Sequence, residues 1–402
     1  MNQKKLMLLG GIRYLLPVIK EAHKLGCYVI TADYLPDNIA HKYSDEYVNV
    51  SIIDKDAVLK VAKEKQIDAI MSFACDPGVV SAAYVAEQMG LPFQCSYEAA
   101  CILQDKSRFR KFLSDNGFNS PKAKGYTRVE DAIKDVDYFN WPVIVKPVDS
   151  AGSKGVTRVD DKEKLQEAII TALDESIGKH FIIEEFLVAE GSPTGSESFF
   201  VNGELRYNAF YDQVFDLNAP NPFVPASECW PSSKSDRLLD EVRDNLQRLG
   251  TLLGIHTGIF NVEWRLSDGK VYLMEVTPRA GGNRLAEILN YATDVDIIKA
   301  ETIKALGLPC DFVHEPNYNG CYAIYNLHPD KAGKFDGIEV DSQFKSDHVV
   351  EEEIRVSKGS NVNGFTGANN SLGTLFLRFK DKNQMDQLIG SIHKFISVKV
   401  II

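Results

Sequence analysis

Two hydrophobic rhythms alternate along the first hundred residues. Solid apolar runs (KLMLL from Lys5, YVITAD from Tyr28, DAIMSF from Asp68) are separated by segments in which apolar residues return every three or four positions: Tyr14 to Leu25, Asp54 to Lys65 and Pro77 to Met89. The runs predict buried strands, and the periodic segments predict helices with one apolar stripe. Strands that alternate with helices are βαβ units, so a mainly parallel sheet is expected. Ser96 is placed to cap a helix from Tyr97 to Leu103, and a second helix, Lys106 to Asn116, stops at Gly117.

The pattern then changes. Strand, helix, strand and loop run to residue 159, and Asp160 with Glu163 reads as a capping box for a helix whose stripe is Leu165, Ala168, Ile169 and Ala172. HFIIEEFL predicts a buried strand ending in two carboxylates. A long amphipathic helix, Ser235 to Leu253, carries Leu238, Val242, Leu246, Leu249 and Leu253 on one face. GIFNVEWRL and KVYLMEV flank an SDG turn at 267–269 and predict a hairpin. From about Pro316 the chain reads as β-rich with Gly and Asn turns, ending in a helix and a Lys/Val strand.

Composition narrows the class. The chain has 402 residues, 44% hydrophobic and 25% charged, which suits a soluble globular protein of two to four domains. Its net charge of −11 and the absence of a basic stripe argue against nucleic acid as a partner. No apolar run is long enough to span a bilayer. The lysines ahead of LMLL superficially suggest a leader, but there is no small-residue cleavage site, so this segment is read as the first strand. Seven cysteines (27, 75, 95, 101, 229, 310, 321), odd in number and without C-x-x-C spacing, predict free thiols in a reducing cytoplasm.

Three places carry candidate chemistry. Gly10-Gly11 after the first strand and Asp33 after the second sit where a dinucleotide fold opens its crevice, yet G-x-G-x-x-G is not met, which weakens a dehydrogenase reading. VIVKPVDSAGSKGV, Val143 to Val156, places a lysine at the end of an apolar strand, followed by a Gly/Ser loop whose backbone N–H groups can approach an anion. The Walker spacing is absent, so by itself this stretch is equally an ordinary hairpin loop. On the later hairpin, Glu263 and Glu275 fall on one face by strand alternation, provided the ladder has no bulge. Two facing carboxylates repel, and a magnesium ion between them would relieve this; a solvated pair of strand glutamates is the plainer alternative.

The segment EVTPRAGGNR, Glu275 to Arg284, completes an order of motifs that resembles the ATP-grasp superfamily, as in carbamoyl phosphate synthetase, biotin carboxylase, D-alanine-D-alanine ligase and the amino-acid ligases. The resemblance runs from the first strand to about residue 305. It implies an N-terminal parallel α/β domain (1–95), a helical linker (96–120), a small α+β lid subdomain (121–188), a larger antiparallel catalytic subdomain (189–310) and a β-rich C-terminal domain (311–402). It also implies ATP and Mg2+ as cofactors, with Mn2+ as a substitute. Lys106 and Lys146 would reach the nucleotide phosphates, beneath a loop containing Ser150, Gly152, Ser153 and Gly155. Glu184 and the backbone of Glu185, Phe186 and Leu187 would face adenine. Glu197 would bind ribose, with Glu190 as its competitor. Glu263 and Glu275 would hold metal, with Thr277 where the family usually has Asn, and Arg279 would face an acyl phosphate. Asn283 and Arg284 are candidates for gripping a substrate carboxylate, although Asn283 is equally placed to cap a helix from Arg284 to Asn290. Glu228, in ASECWPS, is a further substrate candidate.

The resemblance implies an ATP-dependent ligase that joins a small carboxylate, such as an amino acid, to an amine through an acyl phosphate. A carboxylase using carboxyphosphate is the alternative within enzymes, and a nucleotide-binding protein without turnover is the alternative outside them. Small-molecule carboxylate and amine substrates are the expected partners, with no nucleic acid or membrane. A homodimer through the first domain is a family-level expectation.

Overall fold

The computed structural model describes residues 3–149, 155–222 and 224–401. Its first unit is a four-stranded, all-parallel sheet in the order Glu46–Asn49, Tyr28–Asp33, Lys5–Leu9, Ala69–Met71. Leu6 and Leu8 feed one hydrophobic cluster and Met7 and Leu9 another. A strand with cores on both sides must be apolar throughout, which is why KLMLL is a solid run. The helix Asp76–Met89 starts at the edge where these strands end, beside Gly10, and so brings Asp76 to the rim of the unit.

The second unit is an antiparallel sheet in the order Ala123–Tyr126, Phe181–Glu185, Val143–Pro147, Thr157–Val159. The helix Leu165–Glu175 covers it with Leu165, Ala168, Ile169 and Ala172, the stripe expected from the sequence. The expected capping box is displaced by one residue. Asp161 accepts from the Glu163 N–H at 3.0 Å, whereas Asp160 pairs with Arg158. A tight turn, Lys162–Lys164, precedes the helix, so the first unbonded N–H groups face Asp161.

The largest sheet has eight antiparallel strands, ordered Lys270–Thr277, Gly258–Ser267, Thr194–Val201, Glu204–Phe215, Pro225–Trp230, Cys321–Leu327, Gly373–Phe379, Val349–Ile354. The last three extend the sheet begun by the middle of the chain. A separate three-stranded sheet, Asn361–Val362, Gly333–Val340 and Ile396–Ile401, completes the C-terminal region. The helix Asp236–Leu253 covers the back with Val242, Leu246 and Leu249. On the front, Phe199, Tyr207, Ile259 and Trp230 pack under the helices Leu285–Ala292 and Ile297–Ala305. Two residues along from Phe199 and Ile259, on the same front face, come Glu197 and Asn261, then Glu263 two further on and Thr277 opposite Asn261 on the neighbouring strand. The pleat thus turns one face from core into site.

Among the described residues no helix is long and apolar enough to cross a membrane. All seven cysteines are free thiols, as expected.

Candidate active site

The hairpin Gly258–Ser267 and Lys270–Thr277 closes through Asp268 and Gly269, both at positive φ, as a two-residue turn matched to strand twist requires. Its register places Glu263 directly opposite Glu275. The expected bulge-free ladder is not what forms: a bulge between Trp264 and Glu263 shifts the register by one, and without it the Ser267–Lys270 closure would set Glu263 opposite Met274, so the bulge puts the two carboxylates on one face. Glu263 reaches water at the floor of the cleft. The protein mass around it, and then the Glu275 charge, push its carboxyl above the ordinary range. The nearest cation in an ion pair with either is Lys106, whose Nζ lies 3.9 Å from Glu275 Oε2.

Lys106 is the first residue of the helix Lys106–Asp115, capped by Asp105, which accepts from the N–H groups of Ser107 and Arg108. One turn later on the same face, Arg110 donates from Nε to Glu184 Oε2 at 2.9 Å. Glu184, 1% exposed, also accepts from Lys146 Nζ. Burial alone would raise the Glu184 carboxyl, but Arg110 and Lys146 together hold it down to about 2. Lys146 is itself lowered by burial, against the pull of Glu184. Glu184, expected at the adenine edge, is therefore enclosed by two cations instead, because Arg110 occupies a core-facing helix position that only a carboxylate can neutralise. The N–H groups of Glu185 and Phe186 are bonded to Lys122 O and Pro142 O, each at 3.0 Å, so neither is open to an adenine edge. Phe186 carries the Arg158 guanidinium over its ring at 4.4 Å.

Of the expected phosphate loop, Ser150, Gly152 and Ser153 lie outside the described residues. Gly155 has φ +66°, and a Cβ there would meet Glu175 Cβ at 2.9 Å and Pro147 Cγ at 3.0 Å, so a glycine is required where the chain returns to the sheet.

The segment after Thr277 is held on several sides. Thr277 Oγ1 donates to Asn261 O at 3.4 Å, and its oxygen keeps acceptor capacity. Arg279 makes a two-pronged ion pair with Asp76, from Nε at 2.7 Å and Nη2 at 2.8 Å, while Nη1 donates to Ala280 O at 2.8 Å. Asn283 Nδ2 donates to Glu228 Oε2 at 2.9 Å, and burial raises the Glu228 carboxyl to about 8.

Three expectations fail here. Glu197 is no ribose ligand: its carboxylate is fully buried, accepting from Gly281 N at 3.0 and 3.1 Å and from Asn261 Nδ2 at 2.7 Å. It lies on a strand buried at every residue. Burial pushes it up to about 7, against those donors and Arg279. Glu190, its competitor, is exposed and accepts from Gly269 N at 2.8 Å. Arg284 is no open grip either, since Glu287, Glu351 and Thr374 occupy it and it lies 4.2 Å over the Phe376 ring. Nor does Asn283 cap a helix: the helix begins at Leu285, with Arg284 in the capping position and no side-chain cap bond.

Sequence reasoning missed Arg110, Asp76 and Asn261. Arg110 lies four residues after Lys106, a spacing that shares a helix face, and this signal was present. Nothing local marks Asp76 as the partner of a residue 203 positions away.

A family description, the ATP-grasp domain, matches residues 139–287, the stretch from Lys146 to the turn just described. The chain carries an ATP-grasp domain. The carbamoyl phosphate synthase large chain of Clostridium beijerinckii is 22% identical over 340 residues, 78% of this chain and 31% of that relative, so the chain spans about a third of its length. The L-amino acid ligase of Bacillus licheniformis superposes over 100% of both chains with a TM-score of 0.83 at 20% identity. The biotin carboxylase domain of Hydrogenobacter thermophilus 2-oxoglutarate carboxylase, solved with MgADP, ADP and bicarbonate, covers 98% of this chain and 91% of its own, with a TM-score of 0.73 at 16% identity. At these identities the superpositions speak to fold, and they extend the ATP-grasp architecture beyond residues 139–287 to nearly the whole chain.

Magnesium fits the hairpin pair. Glu263, Glu275 and the Thr277 hydroxyl are hard oxygen donors. No group of three or more His, Cys, Asp or Glu suited to a metal occurs among the described residues. A bound ion would therefore complete its shell from water and phosphate, which magnesium favours.

Proposed function

We propose that the protein is an ATP-dependent ligase that activates a small carboxylate by phosphorylation and couples it to an amine. The observation that carries this reading is the opposed Glu263–Glu275 pair on a wall shared with Lys106 and Arg279 and joined through Arg110 and Glu184 to Lys146. Nucleotide binding alone does not call for two carboxylates directly opposed in register beside a fixed arginine.

Phosphoryl transfer needs alignment and charge neutralisation more than covalent help. Glu263, Glu275 and the Thr277 hydroxyl would hold a magnesium ion, which would supply counter-charge for the phosphates. Lys106 and Lys146 supply positive charge on the nucleotide side, and Arg279 on the acceptor side. A carboxylate is a poor electrophile, and its acyl phosphate has a good leaving group, so the next step is attack by an amine. Glu228, buried and held by Asn283, has no cationic partner among the described residues. Its carboxylate form is placed on the front face to take the proton that the amine sheds as its nitrogen bonds to the acyl carbon and phosphate leaves. The free thiols suit a reducing compartment, and we assign the protein to the cytoplasm.

The test is ADP and phosphate release against a panel of amino acids and other small carboxylates and amines, in Mg2+ or Mn2+, with and without bicarbonate. Release that requires both a carboxylate and an amine supports the ligase. Release that requires bicarbonate instead selects the carboxylase, and no release across the panel overturns both.

A further inference from the structure

The Arg279 guanidinium has three sides, and the structure assigns two of them. Asp76 takes the side edge, accepting from Nε at 2.7 Å and Nη2 at 2.8 Å. Ala280 O takes the rear N–H of Nη1 at 2.8 Å. Among the described residues one N–H on Nη1 and one on Nη2 have no acceptor, and together they form the end edge, a fork whose geometry matches two oxygens of a phosphoryl or carboxylate group. The backbone around Arg279 is held as well. The Gln94 side chain donates to Pro278 O, and Gln94 is in turn bonded to Lys304 at 2.6 Å. Glu197 accepts from Gly281 N. A Cβ at Gly281 would meet Glu197 Oε1 at 2.6 Å, so the turn is seated directly on that carboxylate.

Asp76 comes from a different unit of the fold. It opens the helix Asp76–Met89 at the rim of the parallel sheet, whereas Arg279 follows a strand of the large antiparallel sheet. Arg279 is buried and Asp76 about one-quarter exposed, so the pair forms a nearly dry contact between the two units. Burial would lower the affinity of the guanidinium for its proton, and Asp76 more than restores it.

From this geometry we infer that Asp76 is a positioning residue: by occupying the side edge of Arg279 it aims the end edge at the phosphoryl group in transfer, and it makes that alignment depend on the seating of the N-terminal unit against the ATP-grasp domain. The inference rests on the ligase reading for the direction in which the phosphoryl group lies. It goes beyond that reading in assigning a role to a residue outside the ATP-grasp match.

The experiment compares binding of MgADP with binding of MgADP plus aluminium fluoride, a mimic of the phosphoryl group in flight, by titration calorimetry on the full chain. For the wild type the mimic is expected to tighten binding by about 10-fold or more. In Asp76→Ala and Asp76→Asn that gain is expected to disappear while affinity for MgADP alone changes less than about 2-fold, and Asp76→Glu restores part of it. Arg279→Lys should abolish the gain equally, and adding Asp76→Ala to it should cost nothing more, because the two act as one unit. Retention of the gain in Asp76→Ala overturns the inference, as does a parallel loss of MgADP affinity, which marks a merely structural contact. A wild type that shows no gain overturns it too. A wild type that shows the gain, yet releases no ADP with any carboxylate and amine pair, overturns the ligase reading alone.

Discussion

Two acidic places in the molecule are treated in opposite ways. Around Glu184 the protein supplies its own counter-charge: Arg110 from one helix and Lys146 from the neighbouring strand close on a carboxylate that is 1% exposed. At the hairpin, Glu263 and Glu275 face each other, the one ion pair to either among the described residues is Lys106 with Glu275 at 3.9 Å, and Glu263 is driven toward protonation. The first arrangement has two cations on one carboxylate and holds the sheet of the second unit to the helix Lys106–Asp115. The second is repulsive as it stands and gains stability only when a cation arrives. A paired buried charge is thus a structural element, and an unpaired one in register is a binding site.

The comparison is broken most directly at Glu184. Glu184→Ala leaves Arg110 and Lys146 buried with no partner, and urea unfolding should show a loss of about 3–5 kcal/mol. An unchanged midpoint would mean that the cluster is not structural. Next in size is Glu275→Gln, which should lower ATP turnover by about 100- to 1,000-fold. The melting temperature should hold or rise, because a like-charge repulsion has been removed. A fall in stability without a fall in turnover would reverse the assignment of the two places.

A pH series sharpens it further. The Glu197 carboxyl lies at about 7 in the folded protein against an ordinary 4.5. The folded state therefore keeps a proton that the unfolded state releases. The stability this group contributes is full below about 4.5, falls as pH rises toward 7 and levels off above. Relative to Glu197→Gln, the wild type should lose about 1–3 kcal/mol between pH 5 and 8, read from paired urea titrations. Glu184, held at about 2, runs the other way: its contribution is present above about 4.5 and is lost as pH falls toward 2. The smallest effect is expected at Lys106. Its long, partly exposed pairing with Glu275 should cost less than about 1 kcal/mol of stability in Lys106→Ala, so a loss comparable to that of Glu184→Ala would show that the hairpin pair is already compensated.

Much of this molecule was legible before any coordinates. The strands at Lys5, Tyr28 and Ala69 and the helix stripe Leu165, Ala168, Ile169, Ala172 follow from periodicity, and the Asp268-Gly269 turn from its residue types. The parity of Glu263 and Glu275 about that turn predicted one face for a ladder without a bulge; the two do share a face, but only through the bulge at Glu263/Trp264, which local spacing did not reveal. What failed were assignments of exposure. Glu197, Glu184 and Arg284 carry the right charges for a nucleotide or substrate, and each is consumed by the protein itself, by Gly281 N and Asn261, by Arg110 and Lys146, and by Glu287 and Glu351. A charged residue in a motif looks the same in a sequence whether its partner is a ligand or another side chain.

The order of residues determined by itself where strands and helices form, which positions face inward, and that lysines, glutamates and an arginine recur in an ATP-grasp order, because those properties depend on spacings of two to four residues along one element. Tertiary structure alone decided which of those charges are neutralised and which remain open, and that Asp76 meets Arg279 across 203 positions. The strength of a charge depends on how much water packing leaves around it and on which groups from distant elements come within a few ångströms, and neither quantity is carried by local spacing.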